Sequence, residues 1–281
     1  PEALDPEPET VEGLSPTLKQ MVRTICESPF IKPYRDTLSL AEHIGRPTTV
    51  ETKRSAVDLV TEIDRASERL IHRFLSQAFP SFGFLGEEHG ARRERSPYRW
   101  VVDPLDGTMN FVHGVPLFGV SIGLEHEGRM LVGVVYDPMR DELFTARRGG
   151  GAFLNGARIA VSRTGRLAHS LLSTGFSSTF RTHPRRYLRW FRAFESSSHA
   201  VRRLGSSALS LAYVAAGRLD GFYEQDLWPW DIAAGVLLVQ EAGGRATDFT
   251  GRPAALDEHR LVASNGRIHR AILRVLTHGP R

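Results

Sequence analysis

The sequence predicts a layered fold that combines helices with β-sheets, and three stretches of the chain lead to that prediction. Residues 58–79 carry apolar side chains at helical spacing, which indicates an amphipathic helix. From Val115 to Val161, valines, glycines and short turns alternate, which is typical of an antiparallel meander. In the last third of the chain, strand patterns alternate with helix patterns, as in layered α/β structures.

The helix over residues 58–79 has a defined start. Thr61 is followed three residues later by Asp64, a pattern typical of a capping box, which places Asp64 in the first turn. The residues predicted to form its buried face are Ala66, Leu70, Ile71, Phe74, Leu75 and Ala78. Two short apolar runs follow, FGFLG and WVV, and each leads into acidic residues. We predict that both runs are strands.

The remaining segments are assigned in chain order. The glycine-rich RRGGGAFLNG lacks the strand–loop–helix setting and the Lys-Ser/Thr of a nucleotide-binding loop, so it predicts a hairpin turn. Strands are predicted over SLLSTGF, AVRRL, LDGFYE, GRATDF and RLVAS. Helices are predicted near residues 183–195, over SALSLAYVAAG, over WDIAAGVLLVQEAG and at the C-terminus. Ahead of all these elements, residues 14–44 have a weak helical pattern.

Three parts are predicted along the chain. The acidic, proline-rich residues 1–14 are expected to be a disordered arm. An N-terminal α+β half is expected over residues 15–160 and a C-terminal α/β half over residues 161–281. A length of 281 residues suits one compact unit or two halves that share an interface.

Composition narrows the class of protein. No window approaches 18 uncharged apolar residues, which argues against a membrane span. Cys26 is the only cysteine, so an intrachain disulfide is excluded, and this fits a cytoplasmic location. The net charge of +4 is spread along the chain. Without a dense basic patch interleaved with aromatic residues, we do not expect a nucleic-acid partner. A mild positive field favours a small anionic substrate.

Carboxylates recur where apolar strands end or helices begin. They lie in the segments VTEID, FLGEE, VVDPLDGT and WPWDIAAG, and the residues are Asp64, Glu87, Glu88, Asp103, Asp106 and Asp231. No histidine or cysteine accompanies them at ligand spacing. An oxygen-only donor set suits Mg²⁺ or Mn²⁺ and argues against Zn²⁺. Divalent ions would also cancel the repulsion between neighbouring carboxylates.

A phosphate site is predicted directly after the paired aspartates. Gly107 permits close backbone approach, and free amides at the start of a following helix bind phosphate oxygens. Metal ions next to such amides indicate phosphoryl transfer to water. Ser173 and Ser177 have no neighbouring His–Asp signal, so a serine hydrolase is disfavoured.

The segments DLVTEID, GEE, WVVDPLDGTMNF and WDIAAGVLLVQEAGG resemble the motif set of the inositol monophosphatase family, the lithium-sensitive, Mg²⁺-dependent sugar phosphatases. The resemblance extends from about residue 40 to the C-terminus. It implies an α+β fold, a layered αβαβα sandwich of the inositol monophosphatase and fructose-1,6-bisphosphatase type. It also implies an active site between the two halves, inhibition by Li⁺ and a homodimer.

The resemblance implies metal ligands by position. Glu87, Asp103 and the backbone carbonyl of Leu105 would bind a first ion. Asp103, Asp106 and Asp231 would bind a second, and a third, weaker ion would lie near Glu87. The cofactor is therefore expected to be two or three Mg²⁺ ions, with Mn²⁺ as a substitute.

The same resemblance implies the catalytic and phosphate-binding residues. Asp64 would be the base and the Thr108 hydroxyl its relay to the attacking water, next to the metal ligand Glu87. The amides of Gly107 and Thr108 would hold the phosphate, with Asp106 beside it.

A polyol pocket follows from the same comparison of motifs. Glu224, seven residues before Asp231, matches the glutamate of the family that binds inositol hydroxyls, and Gly205 and Ser207 match residues of its pocket. The TMNF segment is similar to the monophosphatase branch. The chain departs from the common pattern at LWPWD, which puts the shape of the pocket in question.

These features predict a phosphoric monoester hydrolase that converts myo-inositol monophosphate to inositol and phosphate. Two alternatives stay open. The same chemistry would serve histidinol phosphate, fructose 1,6-bisphosphate or a nucleotide phosphate. A member of the family associated with RNA or transcription would keep the fold for another role.

Overall fold

The computed structural model describes residues 40–53, 58–92 and 96–278. The predicted arm over residues 1–14 and nearly all of the weakly helical segment lie outside the described residues. The helices are α1 (Leu40–His43), α2 (Glu62–Ala78), α3 (Thr108–Val112), α4 (Pro184–Glu195), α5 (Ser207–Ala215), α6 (Pro229–Glu241) and α7 (His269–His278). Short 3₁₀ turns lie at Leu167–His169 and Ser178–Arg181.

The strands in the described ranges form three sheets. The first part of the chain contributes β1 (Val50–Thr52), β2 (Leu59–Thr61), β3 (Gly83–Gly86), β4 (Gly90–Arg92) and β5 (Tyr98–Asp106). The central part contributes β6 (Gly119–His126), β7 (Arg129–Asp137), β8 (Glu142–Arg147), β9 (Gly151–Leu154) and β10 (Ala157–Ile159). The last part contributes β11 (Leu171–Thr174), β12 (Ala200–Arg202), β13 (Gly221–Gln225), β14 (Arg245–Thr247) and β15 (Arg260–Ser264).

The largest sheet has eight strands in the order β10-β9-β8-β7-β6-β5-β3-β4. Strands β6 to β10 pair antiparallel with their chain neighbours, so the predicted meander is confirmed. The glycine-rich segment connects β8 to β9 as a hairpin, also as predicted. Strand β3 pairs parallel with β5, which brings the carboxyl ends of both strands to the same edge of the sheet. That edge carries the acidic residues.

The second sheet has five strands in the order β12-β11-β13-β15-β14. Strands β12, β11 and β13 are parallel, and β15 is antiparallel to both of its neighbours. Strands β1 and β2 form a separate antiparallel pair.

The helices separate and cover the two larger sheets, and this confirms the predicted αβαβα layering. Helix α2 packs on one face of the eight-stranded sheet, and α5 and α6 lie between that sheet and the five-stranded one. Helices α4 and α7 pack against each other and against the smaller sheet. Within the described residues, three apolar cores fill these interfaces, and the central one contains the large apolar side chains of α5 and α6. Burial on all sides explains why both helices are apolar around their whole circumference.

Helix α2 begins as predicted, but its buried face differs from the prediction. The Thr61 hydroxyl accepts the Asp64 amide, and the Asp64 carboxylate accepts the Thr61 amide, which completes the capping box. Ala78 is exposed, whereas Ser67 and Glu68 are buried. The reason is that polar side chains on this face form hydrogen bonds with the backbone near the ends of the strands. For example, the Ser67 hydroxyl donates to the Pro104 carbonyl at 2.8 Å.

The two predicted halves meet without a clean separation. The last strand of the larger sheet ends at Ile159, and the first strand of the smaller sheet begins at Leu171. Because α5 and α6 pack on both sheets, the division at residue 160 stays a prediction. Among the helices that the structure describes, none has the length and apolar character needed to span a bilayer.

Candidate active site

Strand β5 ends in a distorted segment that turns both aspartates toward the edge of the sheet. Its register with β6 shifts between Asp103 and Asp106. Pro104 lies in the shifted segment and has no amide to donate to the ladder, which explains the interruption. The Leu105 amide instead donates to the Asp103 carboxylate at 3.0 Å. The Leu105 amide, which is not paired with β6 in this irregular segment, therefore orients the Asp103 carboxylate.

Asp106 is held by the start of α5. Its carboxylate accepts hydrogen bonds from the Ser206 hydroxyl and, at 2.7 Å, from the Ala208 amide. Burial raises the pKa of Asp106 to about 6, even though these donors favour the charged form. The first turn of α5 thus links a residue of the eight-stranded sheet to the layer between the sheets.

Four carboxylates belong to one electrostatic unit, which we call the acidic cluster: Glu87, Asp103, Asp106 and Asp231. Burial raises the pKa of Asp103, and the negative charges of the other three members raise it further. Burial also raises the pKa of Asp231, and the negative charges of Glu87 and Asp106 raise it further. The structure therefore brings the four predicted metal-binding carboxylates together from three separate parts of the chain.

Few positively charged side chains neutralise the acidic cluster in the described residues. In the described ranges, no lysine, arginine or histidine forms an ion pair with Asp103, Asp106 or Asp231. Among the described residues, the cationic partner of the cluster is Lys53, whose Nζ lies 2.8 Å from Glu87 and 2.5 Å from Glu88. Buried carboxylates without a counter-charge are costly, so this donor set fits divalent cations.

The carboxylate oxygens are turned toward protein donors. Across residues 40–53, 58–92 and 96–278, no three acidic, histidine or cysteine side chains form a ready-made coordination shell. The hydrogen bonds explain this: Glu87 faces Lys53, Asp106 faces Ser206, and Asp231 accepts the Trp228 amide at 2.7 Å. Small side-chain rotations would be needed for a shared cation.

Asp64 and Thr108 are in direct contact beside the acidic cluster. The Thr108 hydroxyl donates to Asp64 Oδ1 at 2.8 Å and lies 3.1 Å from the Leu105 carbonyl oxygen. Burial raises the pKa of Asp64, although hydrogen bonds from Thr61 and Thr108 oppose the increase. Two residues 44 positions apart thus form the hydroxyl–carboxylate pair that the motifs predicted.

Gly107 and Gly205 meet between the two sheets. Gly107 precedes α3 with φ of 99°, a left-handed conformation that favours glycine. A Cβ at Gly107 would lie 3.1 Å from the Gly205 carbonyl oxygen, so a side chain has little space there. The Asn110 amide nitrogen donates to the Leu117 and Leu204 carbonyls and fastens the two loops together.

Glu224 and Ser207 form the floor of a cavity of about 590 Å³ that opens onto the acidic cluster. The Ser207 hydroxyl donates to Glu224 at 3.0 Å. Burial raises the pKa of Glu224 to about 8, with Ser207 opposing and the charge of Asp106 adding to the increase. A Cβ at Gly175 would overlap a Glu224 carboxylate oxygen, so the absence of a side chain at Gly175 leaves room for the carboxylate in this position.

Glu68 belongs to the site but was not predicted from the sequence. It is buried in α2 and accepts the Glu88 amide at 2.8 Å and the His89 amide at 3.0 Å. Its carboxylate also lies 2.7 Å from the His89 ring nitrogen. Glu68 therefore holds the turn that carries Glu87. Its position four residues after Asp64, on the same helical face, is the signal that could have identified it.

Lys53 and Ser206 are two further contacts that the motifs did not indicate. Lys53 approaches Glu87 from a segment far away in sequence, and Ser206 reaches Asp106 across 100 positions. Neither contact has a local sequence signature, because each depends on how the layers stack.

The chain is similar to known proteins of one family. The sequence profile of the inositol monophosphatase family matches residues 36–279. The chain belongs to the inositol monophosphatase family. The phosphatase activity typical of that family follows for the chain at the level of reaction class.

Two relatives of this family member carry different names. An inositol-1-monophosphatase of Mesorhizobium japonicum is 49% identical over 240 residues, which covers 85% of this chain and 90% of the relative. A Nus factor SuhB of Pseudomonas aeruginosa is 48% identical over 228 residues, which covers 79% of this chain and 83% of the relative. Sequence similarity therefore does not decide between the role of the inositol-1-monophosphatase and that of the Nus factor.

A solved structure confirms the fold. The extragenic suppressor protein suhB of Bartonella henselae is 44% identical and superposes with a TM-score of 0.81. The superposition covers 86% of this chain and 93% of the other. The predicted layered sandwich of the inositol monophosphatase type is therefore confirmed.

Proposed function

We propose that this protein is a Mg²⁺-dependent phosphatase that hydrolyses myo-inositol monophosphate to inositol and phosphate. One observation supports the proposal most strongly. The carboxylates of Asp103, Asp106 and Asp231 share a cleft without a basic partner in the described residues, beside the hydrogen-bonded pair Asp64–Thr108. Cations would relieve the repulsion within this cluster, and the pair beside it can accept and pass on a proton.

Glu87, Asp103 and the Leu105 carbonyl would hold one Mg²⁺ ion. Asp103, Asp106 and Asp231 would hold a second, and a third, weaker ion would lie near Glu87. The donor set supports this assignment, because every ligand is an oxygen and Mg²⁺ or Mn²⁺ prefers oxygen. A solved IMPase/NADP phosphatase, 26% identical to this chain with a TM-score of 0.80, is complexed with Mg²⁺ and phosphate.

When bound, the ions would lower the pKa of a water and neutralise charge on the leaving oxygen. The protein residues would perform the remaining steps. Because the Thr108 hydroxyl donates to Asp64, its lone pairs are available to accept a hydrogen bond from the attacking water. Asp64 would take the proton through that hydroxyl, and the amides of Gly107 and Thr108 would hold the phosphate.

The alcohol would lie in the cavity floored by Glu224. Its carboxylate would accept hydrogen bonds from sugar hydroxyls, with Ser207, Gly205 and Asp106 around it. Supporting this, Ser207 fixes Glu224 at 3.0 Å, and Gly175 leaves space for the carboxylate.

A phosphate-release screen tests the proposal. Inositol 1-phosphate would be compared with histidinol phosphate, fructose 1,6-bisphosphate and 2′-AMP, with Mg²⁺ and with EDTA. We expect the highest kcat/KM for inositol 1-phosphate and no release in EDTA. A marked preference for another ester would show that the substrate is not inositol 1-phosphate but would leave the proposed metal-dependent hydrolysis standing. Absence of phosphate release from every ester would reject the proposal that the protein is a phosphatase.

The relative named a Nus factor makes a role in transcription the second candidate. An RNA mobility-shift assay with wild type and Asp103→Asn addresses it. A shift that persists in the variant supports a role separate from catalysis, and no shift removes this candidate.

Two further expectations belong to the same proposal. A homodimer predicts a solution mass near twice that of the chain, measured by light scattering. Inhibition by Li⁺ is expected because a solved staphylococcal inositol monophosphatase-1, 26% identical with a TM-score of 0.82, is described as an LiCl-soaked inhibitory complex. Titration of LiCl at fixed Mg²⁺ measures it.

A further inference from the structure

Trp228 stands out among the exposed apolar side chains. Five large hydrophobic residues are exposed in the described ranges: Val50, Met109, Val115, Leu188 and Trp228. Trp228, at 41% exposure, is the aromatic member of this set and lines the cavity that also contains Asp106, Asp231 and Glu224. Single exposed apolar residues are common, but an exposed indole inside a polar cleft indicates a ligand surface.

The indole is held in place from two sides. Its ring stacks on Trp230 with centroids 5.5 Å apart and planes 6° from parallel. The His259 ring meets it nearly edge-on, at 5.6 Å and 73°. The Nδ1 of His259 lies 2.7 Å from the Leu227 carbonyl, which can only accept, so this nitrogen carries the hydrogen and the ring is fixed. A ring that is already fixed loses little conformational entropy when a ligand binds.

The backbone joins this aromatic surface to the acidic cluster. The Trp228 amide donates to Asp231 at 2.7 Å, and Pro229 starts α6 with a restricted φ. The Trp230 carbonyl accepts the Ser121 hydroxyl at 3.1 Å, which ties the segment to β6 of the larger sheet. Trp228 is therefore positioned relative to the proposed metal ligands by a short and rigid connection.

We propose that Trp228 is a stacking platform for an aromatic ring carried by the alcohol of the phosphate ester. The inference rests on the proposed function and extends it: besides polyol phosphates, the site takes esters whose alcohol bears a flat ring. The phosphate would lie at the acidic cluster and the ring against the indole. A cavity of about 590 Å³ is in the range that encloses a drug-sized ligand, which leaves space for such a ring.

An aromatic ring fits this surface better than an aliphatic one. Parallel aromatic rings gain attraction from their complementary charge distributions in addition to the buried area. Stacking of a flat ring on an aromatic side chain commonly changes affinity by about tenfold or more. We therefore expect a preference for a planar ring over a puckered ring of similar size.

The test compares benzyl phosphate with cyclohexylmethyl phosphate in the presence of Mg²⁺. Both esters release a primary alcohol of similar basicity, so the two hydrolysis reactions are of similar chemical difficulty. The esters differ in the ring, which is planar in one and puckered in the other. The proteins are wild type, Trp228→Ala, Trp228→Phe and, as a matched control, Leu188→Ala, which removes an exposed apolar side chain outside the cavity lining.

We expect wild type to favour the benzyl ester. Trp228→Ala should lower kcat/KM for the benzyl ester about tenfold more than it lowers kcat/KM for inositol 1-phosphate or the cyclohexylmethyl ester, and so remove the preference. Trp228→Phe should retain most of the preference, and Leu188→Ala should match wild type. An unchanged benzyl-to-cyclohexylmethyl ratio in Trp228→Ala overturns the proposal. So does an equal loss for all three esters, because that pattern would mean that Trp228 only supports Asp231.

A binding measurement separates this proposal from the proposed function. Benzylphosphonate, which cannot be hydrolysed, is titrated into each protein and followed by calorimetry. Tighter binding to wild type than to Trp228→Ala, by about tenfold, supports the platform even if no ester is hydrolysed. Equal binding to both proteins rejects the platform even if inositol 1-phosphate is turned over.

Discussion

Asp248 and Asp103 are both almost fully buried, at 3% and 2% exposure, but their surroundings are opposite. Asp248 accepts hydrogen bonds from the amides and side chains of Thr250 and Arg252. Burial alone would raise its pKa, yet these donors lower it to about 2. Asp103 accepts the Leu105 amide, and burial together with three neighbouring carboxylates raises its pKa.

This difference in hydrogen-bond donors separates carboxylates that stabilise the fold from carboxylates that are available to bind a ligand. Where the protein supplies the donors, ionisation is favoured and the charge helps to fix a turn. Where carboxylates face one another, their repulsion costs stability until a cation joins them. Glu62 belongs with Asp248, because the amides and hydroxyls of Thr48 and Thr49 outweigh burial and lower its pKa to about 2.

The largest effect is expected from Asp103→Asn. Turnover of inositol 1-phosphate should fall by about 10³-fold or more, because bound metal ions supply several kcal/mol of charge stabilisation in the transition state. The melting temperature in EDTA should equal or exceed that of wild type, since one repelling charge is gone. Steady-state kinetics and thermal unfolding measure the two effects. Near-normal turnover, or a marked loss of stability, would place Asp103 with the structural carboxylates.

Thr108→Ala should have the next largest effect. Loss of the hydroxyl that donates to Asp64 should reduce kcat by about 10²- to 10⁴-fold, the usual contribution of positioned proton transfer. Mg²⁺ affinity, measured by calorimetry, should stay within about threefold, because the acidic cluster is intact. Thr108→Ser keeps a hydroxyl and is the control. Unchanged kcat in the alanine variant would remove the relay role.

Asp248→Ala should affect stability and leave catalysis intact. The amides of Thr250 and Arg252 lose their acceptor, so the free energy of unfolding should fall by about 2–3 kcal/mol in urea titrations. Since the folded pKa lies below the ordinary 3.8, the stabilisation is complete above that value and is lost as the pH falls toward 2. The difference between wild type and variant should therefore shrink below about pH 4. A constant difference across that range would argue against the charge as its source.

The smallest effect is expected from Glu68→Gln, a residue with features of both groups. Its carboxylate accepts hydrogen bonds from backbone amides of the turn after β3, as a structural carboxylate does. The same turn carries Glu87, a proposed metal ligand. In glutamine one of the two accepting oxygens is replaced by an amide NH2, which can only donate, so the turn should loosen and Mg²⁺ affinity should fall by about tenfold. Calorimetry with Mg²⁺ measures this directly. A loss of stability with unchanged Mg²⁺ affinity would make Glu68 purely structural.

Much of this fold was accessible from local patterns. The capping box at Thr61, the meander after Val115 and the order of strands and helices beyond residue 170 were all predicted from spacing alone. These features depend on near neighbours in the chain, where side-chain periodicity and turn residues act directly. The contact between Asp64 and Thr108 was also expected, but only because the motifs resemble those of a known family.

The sequence by itself determined the residue types of the site: carboxylates at strand ends and helix starts, a glycine before a helix, and oxygen ligands without histidine or cysteine. Tertiary structure decided which donors reach each carboxylate. Ser206 on Asp106, Lys53 on Glu87 and the stack of Trp228 on Trp230 beside the cavity follow from how the layers are placed. The physical reason is that pKa values and stacking depend on distance and burial in space, and the spacing of residues along a chain does not specify them.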